Sequence, residues 1–209
     1  MPAHAKLFLA SSNPGKLAEY RALVEEDAHG VKVALAPRVE VDLLPSFDSL
    51  PSFEENAPTF AENAAGKALH YSRLGAGVVF ADDSGLVVPA LGGAPGVHSA
   101  RYAGPGATNA ERIAKLLGEL RGKTASERAA YFVCAIAVAQ KGRATAIVTA
   151  RVDGEILEEP RGGGGFGYDP VFYFPALKKT FAELLPEEKN RISHRGKAFR
   201  KLLTGLSAQ

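Results

Sequence analysis

Two long apolar runs, "AAYFVCAIAVA" (129–139) and "ATAIVTARVDGEI" (144–156), are separated by little more than Lys141-Gly142. Runs rich in β-branched residues and joined by a turn dipeptide predict two antiparallel strands in a long hairpin. Both are apolar throughout, so the sheet that holds them should be covered on both faces. Other strand-like stretches, "KLFLA" (6–10), "VKVALA" (31–36) and "GVVFA" (77–81), alternate with helical patterns. The expected class is therefore α/β: a mixed, twisted sheet containing the hairpin, with flanking helices. A chain of 209 residues fits one domain, 1–209, formed as two lobes about a cleft.

The helices announce their ends. Asn13 is suited to an N-cap and Pro14 to the first helical position, opening a helix through "GKLAEYRALVEE". Thr59 and Glu62 have capping-box spacing before "FAENAAGKALHYSRL", and Gly75 follows as a stop. "ATNAERIAKLLGEL" reads as an amphipathic helix, and a last helix begins near His194. Prolines 37, 45, 51 and 58 mark the stretch between them as an irregular, functional loop.

Charge excludes whole classes of partner. With 25 Lys+Arg against 23 Asp+Glu, the formal net charge is +2, too weak a field to imply nucleic-acid or membrane binding. An anionic ligand has to be held by a local cluster. Cys134, the single cysteine, sits in an apolar run and reads as a packing thiol. The opening "MPAHAKLFLASSN" has too short an apolar core for a signal peptide, and no apolar run approaches the ~20 residues that span a bilayer. A cytoplasmic protein is expected.

Four clusters carry chemistry. In "SSNPGK", Ser11, Ser12, Asn13, Pro14, Gly15 and Lys16 join a strand to a helix N-terminus, where free N–H groups and hydroxyls suit an anion. Lys16 is one turn in and able to neutralise phosphate, although the spacing is not that of a Walker A loop. In "ADDSG", Asp82 and Asp83 read as adjacent carboxylates at a strand end, with Ser84 and Gly85 keeping a turn open. Paired carboxylates are costly to desolvate without a cation, and Mg2+ is the usual answer. "FEENA" offers Glu54 or Glu55 as a further hard ligand; Glu62 is the weaker candidate because the capping box explains it, and Lys67 follows on the same helix.

The third cluster, "GGGGFGYDPVF", sets glycines before Phe166, Gly167, Tyr168 and Asp169: a tight loop, an aromatic face and an acceptor. The fourth, "EEKNRISHRGKA", gathers Lys189, Arg191, His194, Arg195 and Lys197 at a helix start. Cations there oppose the helix dipole, which predicts an anion or acceptor nearby. Arg101, in "HSARYAG", suits either a surface salt bridge or phosphate binding.

In this order, "SSNPGK", "FEENAPTFAENAAGKA", "ADDSGL", "LGGAPGVHSARYAG", "GFGYDPVF" and "SHRGKA" resemble the inosine triphosphate pyrophosphatase family, nearly end to end. The resemblance implies hydrolysis of non-standard purine nucleoside triphosphates (ITP, dITP, XTP) to the monophosphate and pyrophosphate. It also implies an elongated two-lobed α/β fold about a central cleft, a homodimer, and Mg2+ held by Glu54 and Asp83, with Asp83 as proton acceptor. Residues 11–16 match the triphosphate-binding element, Ser84 a substrate contact, and residues 166–169 the base-binding loop. Lys189, His194 and Arg195 match the remaining nucleotide contacts, and Lys67 and Arg101 are expected to help offset pyrophosphate charge. Two other readings are a Maf-like pyrophosphatase acting on pyrimidine or modified nucleotides, and a nucleotide-sensing module without catalysis. Against the latter, mere binding has no use for paired carboxylates.

Overall fold

The structure is a computed structural model and describes residues 4–30, 38–75 and 77–207. Strands β1 (His4–Leu9), β2 (Arg38–Leu43), β3 (Val78–Val87), β4 (Ala129–Gln140), β5 (Arg143–Ile156), β6 (Phe172–Phe174) and β7 (Lys179–Thr180) form one sheet in the order β2-β1-β3-β4-β5-β6-β7. β1 pairs in parallel with β2 and β3, whereas β5, β6 and β7 pair antiparallel. The sheet is mixed, as expected. Helices α1 (Pro14–Gly30), α2 (Phe60–Leu74), α3 (Asn109–Glu119), α4 (Pro186–Ile192) and α5 (His194–Ser207) complete the regular structure. No helix among the described residues is long and apolar enough to cross a membrane.

The expected hairpin is present. β4 and β5 are sheet neighbours joined only by Lys141 and Gly142, both at positive φ, the backbone signature of a two-residue hairpin turn. Its cover differs from expectation. β4 is buried along nearly its whole length, but β5 alternates buried and exposed residues, and Ile147 is exposed. The difference lies in the alternation: the odd positions of β5, among them Thr145, Ile147, Thr149 and Arg151, are exposed, while its even positions from Ala150 to Ile156 are buried.

Two compact units divide the chain. The first comprises Met1–Asp83, Cys134–Ala150 and His194–Gln209. In it, α1 and α5 lay Tyr20, Leu23, Phe199 and Leu202 against Leu7, Leu9, Phe80, Cys134, Ile136 and Val138. On the other face, α2 lays Ala64, Ala68 and Tyr71 against Val79, Ala81, Ala135, Ala137 and Ala139. The alternation Cys-Ala-Ile-Ala-Val-Ala in β4 thus places bulk on one face and alanine on the other, so α2 approaches the sheet closely. Cys134 is fully buried, and burial pushes its thiol up to about 12, in line with a packing role.

The second unit comprises Ser84–Val133 and Arg151–Ser193. Its core gathers Leu86, Val88, Ile113, Leu116, Phe132, Val152 and Ile156 around the interlocked rings of Phe132, Phe172 and Phe181. α3 opens with the Thr108–Glu111 capping box and buries Ile113 and Leu116. Arg128, buried, donates from Nε to Ile156 O at 2.7 Å, from Nη1 to Leu120 O at 2.9 Å and from Nη2 to Leu157 O at 2.7 Å. A guanidinium therefore ties the end of α3 to the end of β5.

Two local expectations change, and a third falls outside the described residues. "VKVALA" lies at 31–36, outside the described residues. The stretch from 37 to 58 is not irregular throughout: residues 38–43 form β2, the edge strand beside β1. The "DDSG" segment is no turn, because β3 continues to Val87 and carries it mid-strand.

Candidate active site

In the first unit the site starts where β1 gives way to α1. Ser11, 5% exposed, accepts a hydrogen bond at Oγ from Asn13 N at 3.1 Å. Asn13 caps the helix, its Oδ1 accepting from Gly15 N at 2.9 Å and Lys16 N at 3.3 Å. Pro14 opens α1, and Ser12 is exposed. Lys16 reaches from the first turn of α1 to β3, where its Nζ lies 2.8 Å from Asp82 Oδ1.

Successive residues of a strand point to opposite faces, and Asp82 and Asp83 do so. Asp82, fully buried, faces α1 and α5, with Arg195 Nε 3.4 Å from its Oδ2 and Lys16 on its other oxygen. Arg195 also pairs through Nη1 with Glu19. Burial alone would push the Asp82 carboxyl up, but Lys16 and Arg195 outweigh it and hold the group well below the usual carboxylate range. Asp82 is the hub of an internal ion-pair network.

Asp83 faces α2 instead. Asn63, fully buried, donates from Nδ2 to Asp83 Oδ2 at 2.9 Å, accepts at Oδ1 from Ala57 N at 2.9 Å, and donates to Ala57 O at 3.3 Å. Burial and then the charge of Glu55 raise the Asp83 carboxyl to about 6, against the lowering effects of Asn63 and Lys16. Glu55 in turn meets Lys67 Nζ at 2.5 Å. Burial pulls the Lys67 ammonium down, but Glu55, Asp82 and Asp83 together raise it. Glu54 is exposed, with Oε2 accepting from Asn56 Nδ2 at 2.9 Å. Glu62 is exposed and serves the Thr59 cap, as its spacing suggested.

In the second unit the glycine loop is shaped by backbone contact. Gly164 N donates to Ala182 O at 3.0 Å, and a Cβ at Gly162, where φ is +82°, would meet the Ala182 carbonyl carbon at 2.6 Å. Phe166 is half-buried, with Lys189 Nζ 4.8 Å from its ring centroid. Tyr168 does not share that role: it is 3% exposed, belongs to the core and donates its hydroxyl to Ser99 O at 2.9 Å. A ring that size in an α/β interior serves packing first. Gly167 takes φ +65° between the two aromatics. Asp169, 2% exposed, accepts at Oδ2 from Lys189 Nζ at 2.7 Å and from Phe166 N at 2.8 Å.

Acceptors for the late basic segment are thus internal. Lys189 is answered by Asp169 within the second unit, and Arg195 by Asp82 and Glu19 within the first. His194 begins α5 and is buried, while Arg191 and Lys197 are exposed. Ser84 lies half-buried in β3, and exposed Arg101 donates from Nε to His98 Nδ1 at 3.2 Å. Sequence reasoning missed Asn63 and Glu19, yet both left a trace: each stands three or four residues from a predicted site lysine on a helix, and so on its face.

The arrangement so built can bind anionic groups beside a carboxylate poised to take a proton. Comparison with known proteins shows the family. A relative from Geobacillus kaustophilus named dITP/XTP pyrophosphatase is 54% identical over 94% of this chain and 92% of its own. One of the same name from Gloeobacter violaceus is 50% identical over 96% of this chain and 94% of its own. Among solved structures, a HAM1 protein from Coxiella burnetii matches with a TM-score of 0.83 and 43% identity, covering 98% of this chain and all of that one. The Staphylococcus aureus Ham1 protein matches with a TM-score of 0.82 and 37% identity, over 97% of this chain and 98% of that one. The sequence model of the Ham1 family matches residues 7–205, and with sequence and fold in agreement, this chain belongs to the Ham1 family.

Proposed function

We propose that this chain hydrolyses non-standard purine nucleoside triphosphates, dITP, ITP and XTP, to the nucleoside monophosphate and pyrophosphate. The observation that carries the reading is Asp83: a carboxylate held at one oxygen by Asn63 and raised to about 6, in a family whose relatives bear the name dITP/XTP pyrophosphatase. A general base works best with its pKa near the operating pH.

The donor set fits Mg2+. Glu54 and Asp83 would hold it, hard oxygen ligands with neither thiol nor imidazole among them, and the repulsion that Glu55 exerts on Asp83 is the kind a divalent cation relieves. When bound, the metal neutralises phosphate charge and acidifies water. Asp83 accepts the proton of the attacking water at Oδ1, because Asn63 occupies Oδ2. Lys16 and Lys67 offer ammonium groups to the phosphates, and the N–H groups at the start of α1, beside Ser11 and Ser12, add donors. Arg101 is a further cation for the leaving pyrophosphate.

Base recognition is assigned to Phe166 for stacking and to His194 for donation to the 6-keto oxygen, since Arg195 is committed to Glu19 and Asp82. Lys189 and Asp169 hold the loop, and Ser84 contacts substrate. A 6-amino purine presents a donor where a donor already stands, which disfavours ATP and dATP. The active form is a homodimer, to be checked by light scattering.

Turnover of a nucleotide panel, with and without Mg2+ and with pyrophosphate detection, tests the reading. Preference for dITP and XTP is expected; preference for dUTP, UTP or a methylated nucleotide overturns it, as does tight ITP binding without monophosphate release.

A further inference from the structure

α2 presents one face to the loop that carries Glu54 and Glu55. Asn63 holds both backbone polar groups of Ala57, Lys67 pairs with Glu55, and His70 Nε2 lies 2.8 Å from Pro51 O. Between them stands Gly66, where a Cβ would lie 2.6 Å from Phe53 Cζ and 3.2 Å from Cε2. Phe53, partly buried, packs against the core cluster that α2 covers, and its ring centroid lies 5.8 Å from that of His70. Positions 63, 66, 67 and 70 share one helical face. That face grips residues 51–57 at four points, two of them the immediate neighbours of Glu54 in sequence: Phe53 on one side and Glu55 on the other.

Glycine inside a helix is less favourable than alanine, so Gly66 weakens α2 for something else. The close approach of Phe53 supplies the reason. A ring seated on a bare backbone has one place to sit, and its neighbours in the chain inherit that placement.

We infer that Gly66 and Asn63 are positioning residues: Gly66 is the seat for Phe53, Asn63 ties Ala57 to Asp83, and together they set the acidic loop against the catalytic carboxylate. This rests on the proposed reaction. Gly66→Ala gains helix propensity but displaces Phe53, so the two effects oppose each other and the melting temperature should change little. It should nonetheless speed hydrogen exchange over residues 51–57 and lower kcat by about tenfold to a hundredfold, as a displacement near 1 Å does. KM should change little. Phe53→Ala/Gly66→Leu moves the bulk to the other side at similar volume and should restore slow exchange and most of kcat. Asn63→Ala should release the amide of Ala57 and lower kcat in the same way. Wild-type exchange over 51–57 in Gly66→Ala overturns the inference, as does a kcat loss that the paired swap fails to recover. Exchange is read without substrate or metal, so a wild-type protein inert toward dITP would sink the proposed function and still leave the loop measurement to decide this one.

Discussion

Asp82 and Asp83 are neighbours in β3 with opposite electrostatic fates: Lys16 lies 2.8 Å from the first, and Asn63 donates at 2.9 Å to the second. One carboxyl is held below its ordinary range by two cations, and the other is lifted to about 6 by burial and Glu55. Two acids pushed apart in this way suit a division of structural from chemical work, which the proposed reaction gives to Asp82 and Asp83 respectively.

Asp83→Asn should fold and lose most turnover. In metal-free protein at pH 7 it should also be the more stable form. A folded pKa near 6 against about 3.9 unfolded means the wild-type carboxylate loses stability as pH rises from 4 to 6, roughly 2 kcal/mol, and the amide escapes this. Mg2+ should raise the wild-type melting temperature and leave the variant's unmoved. Urea melts at pH 4 and pH 7, with and without Mg2+, provide the check.

Asp82→Asn should be strongly destabilising, because Lys16 and Arg195 then lose a buried counter-charge; about 3–5 kcal/mol is expected. The sign with pH follows from a lowered folded pKa. Its contribution is fully present above the unfolded value near 3.9 and disappears as pH falls through the folded one. Wild type and variant should therefore converge in stability under strong acid.

Phe166→Ala should spare the fold and raise KM for dITP, by the ~1–3 kcal/mol that base stacking supplies in nucleic-acid binders. Tyr168→Ala should cost about 3–5 kcal/mol of stability instead, as a core deletion, and Tyr168→Phe about 1 kcal/mol through loss of the bond to Ser99. Thermal melts alongside KM separate the two aromatics.

Lys189→Met should leave the buried Asp169 carboxylate without its ammonium partner and cost about 3–5 kcal/mol at pH 7. Adding Asp169→Asn should recover much of this, since Phe166 N retains an acceptor. A double-mutant cycle by denaturant melting measures the pair.

Much of this molecule was legible in the residues. The caps at Asn13 and Thr59 lie where spacing put them, and the hairpin turns at Lys141-Gly142, because those signals are local. β2 was hidden by its surrounding prolines, although Arg-Val-Glu-Val-Asp-Leu alternates with the period of a strand. "DDSG" looked like a turn because adjacent acids and a glycine favour one; Lys16, Arg195 and Asn63, brought from distant segments, stabilise it as strand. Tyr168 looked like a ligand platform because aromatic type is visible in a sequence and burial is not. The partnership of Arg195 with Glu19 joins residues 176 positions apart, beyond what any local pattern carries.

Arg128 holds α3 and β5 together through three carbonyl oxygens and no acid. Carbonyl oxygens, unlike carboxylates, remain acceptors when the medium turns acid. As acidification strips the counter-ions from Lys16 and Arg195, that seam should be among the last to loosen, leaving a surviving knot from which refolding on neutralisation can begin.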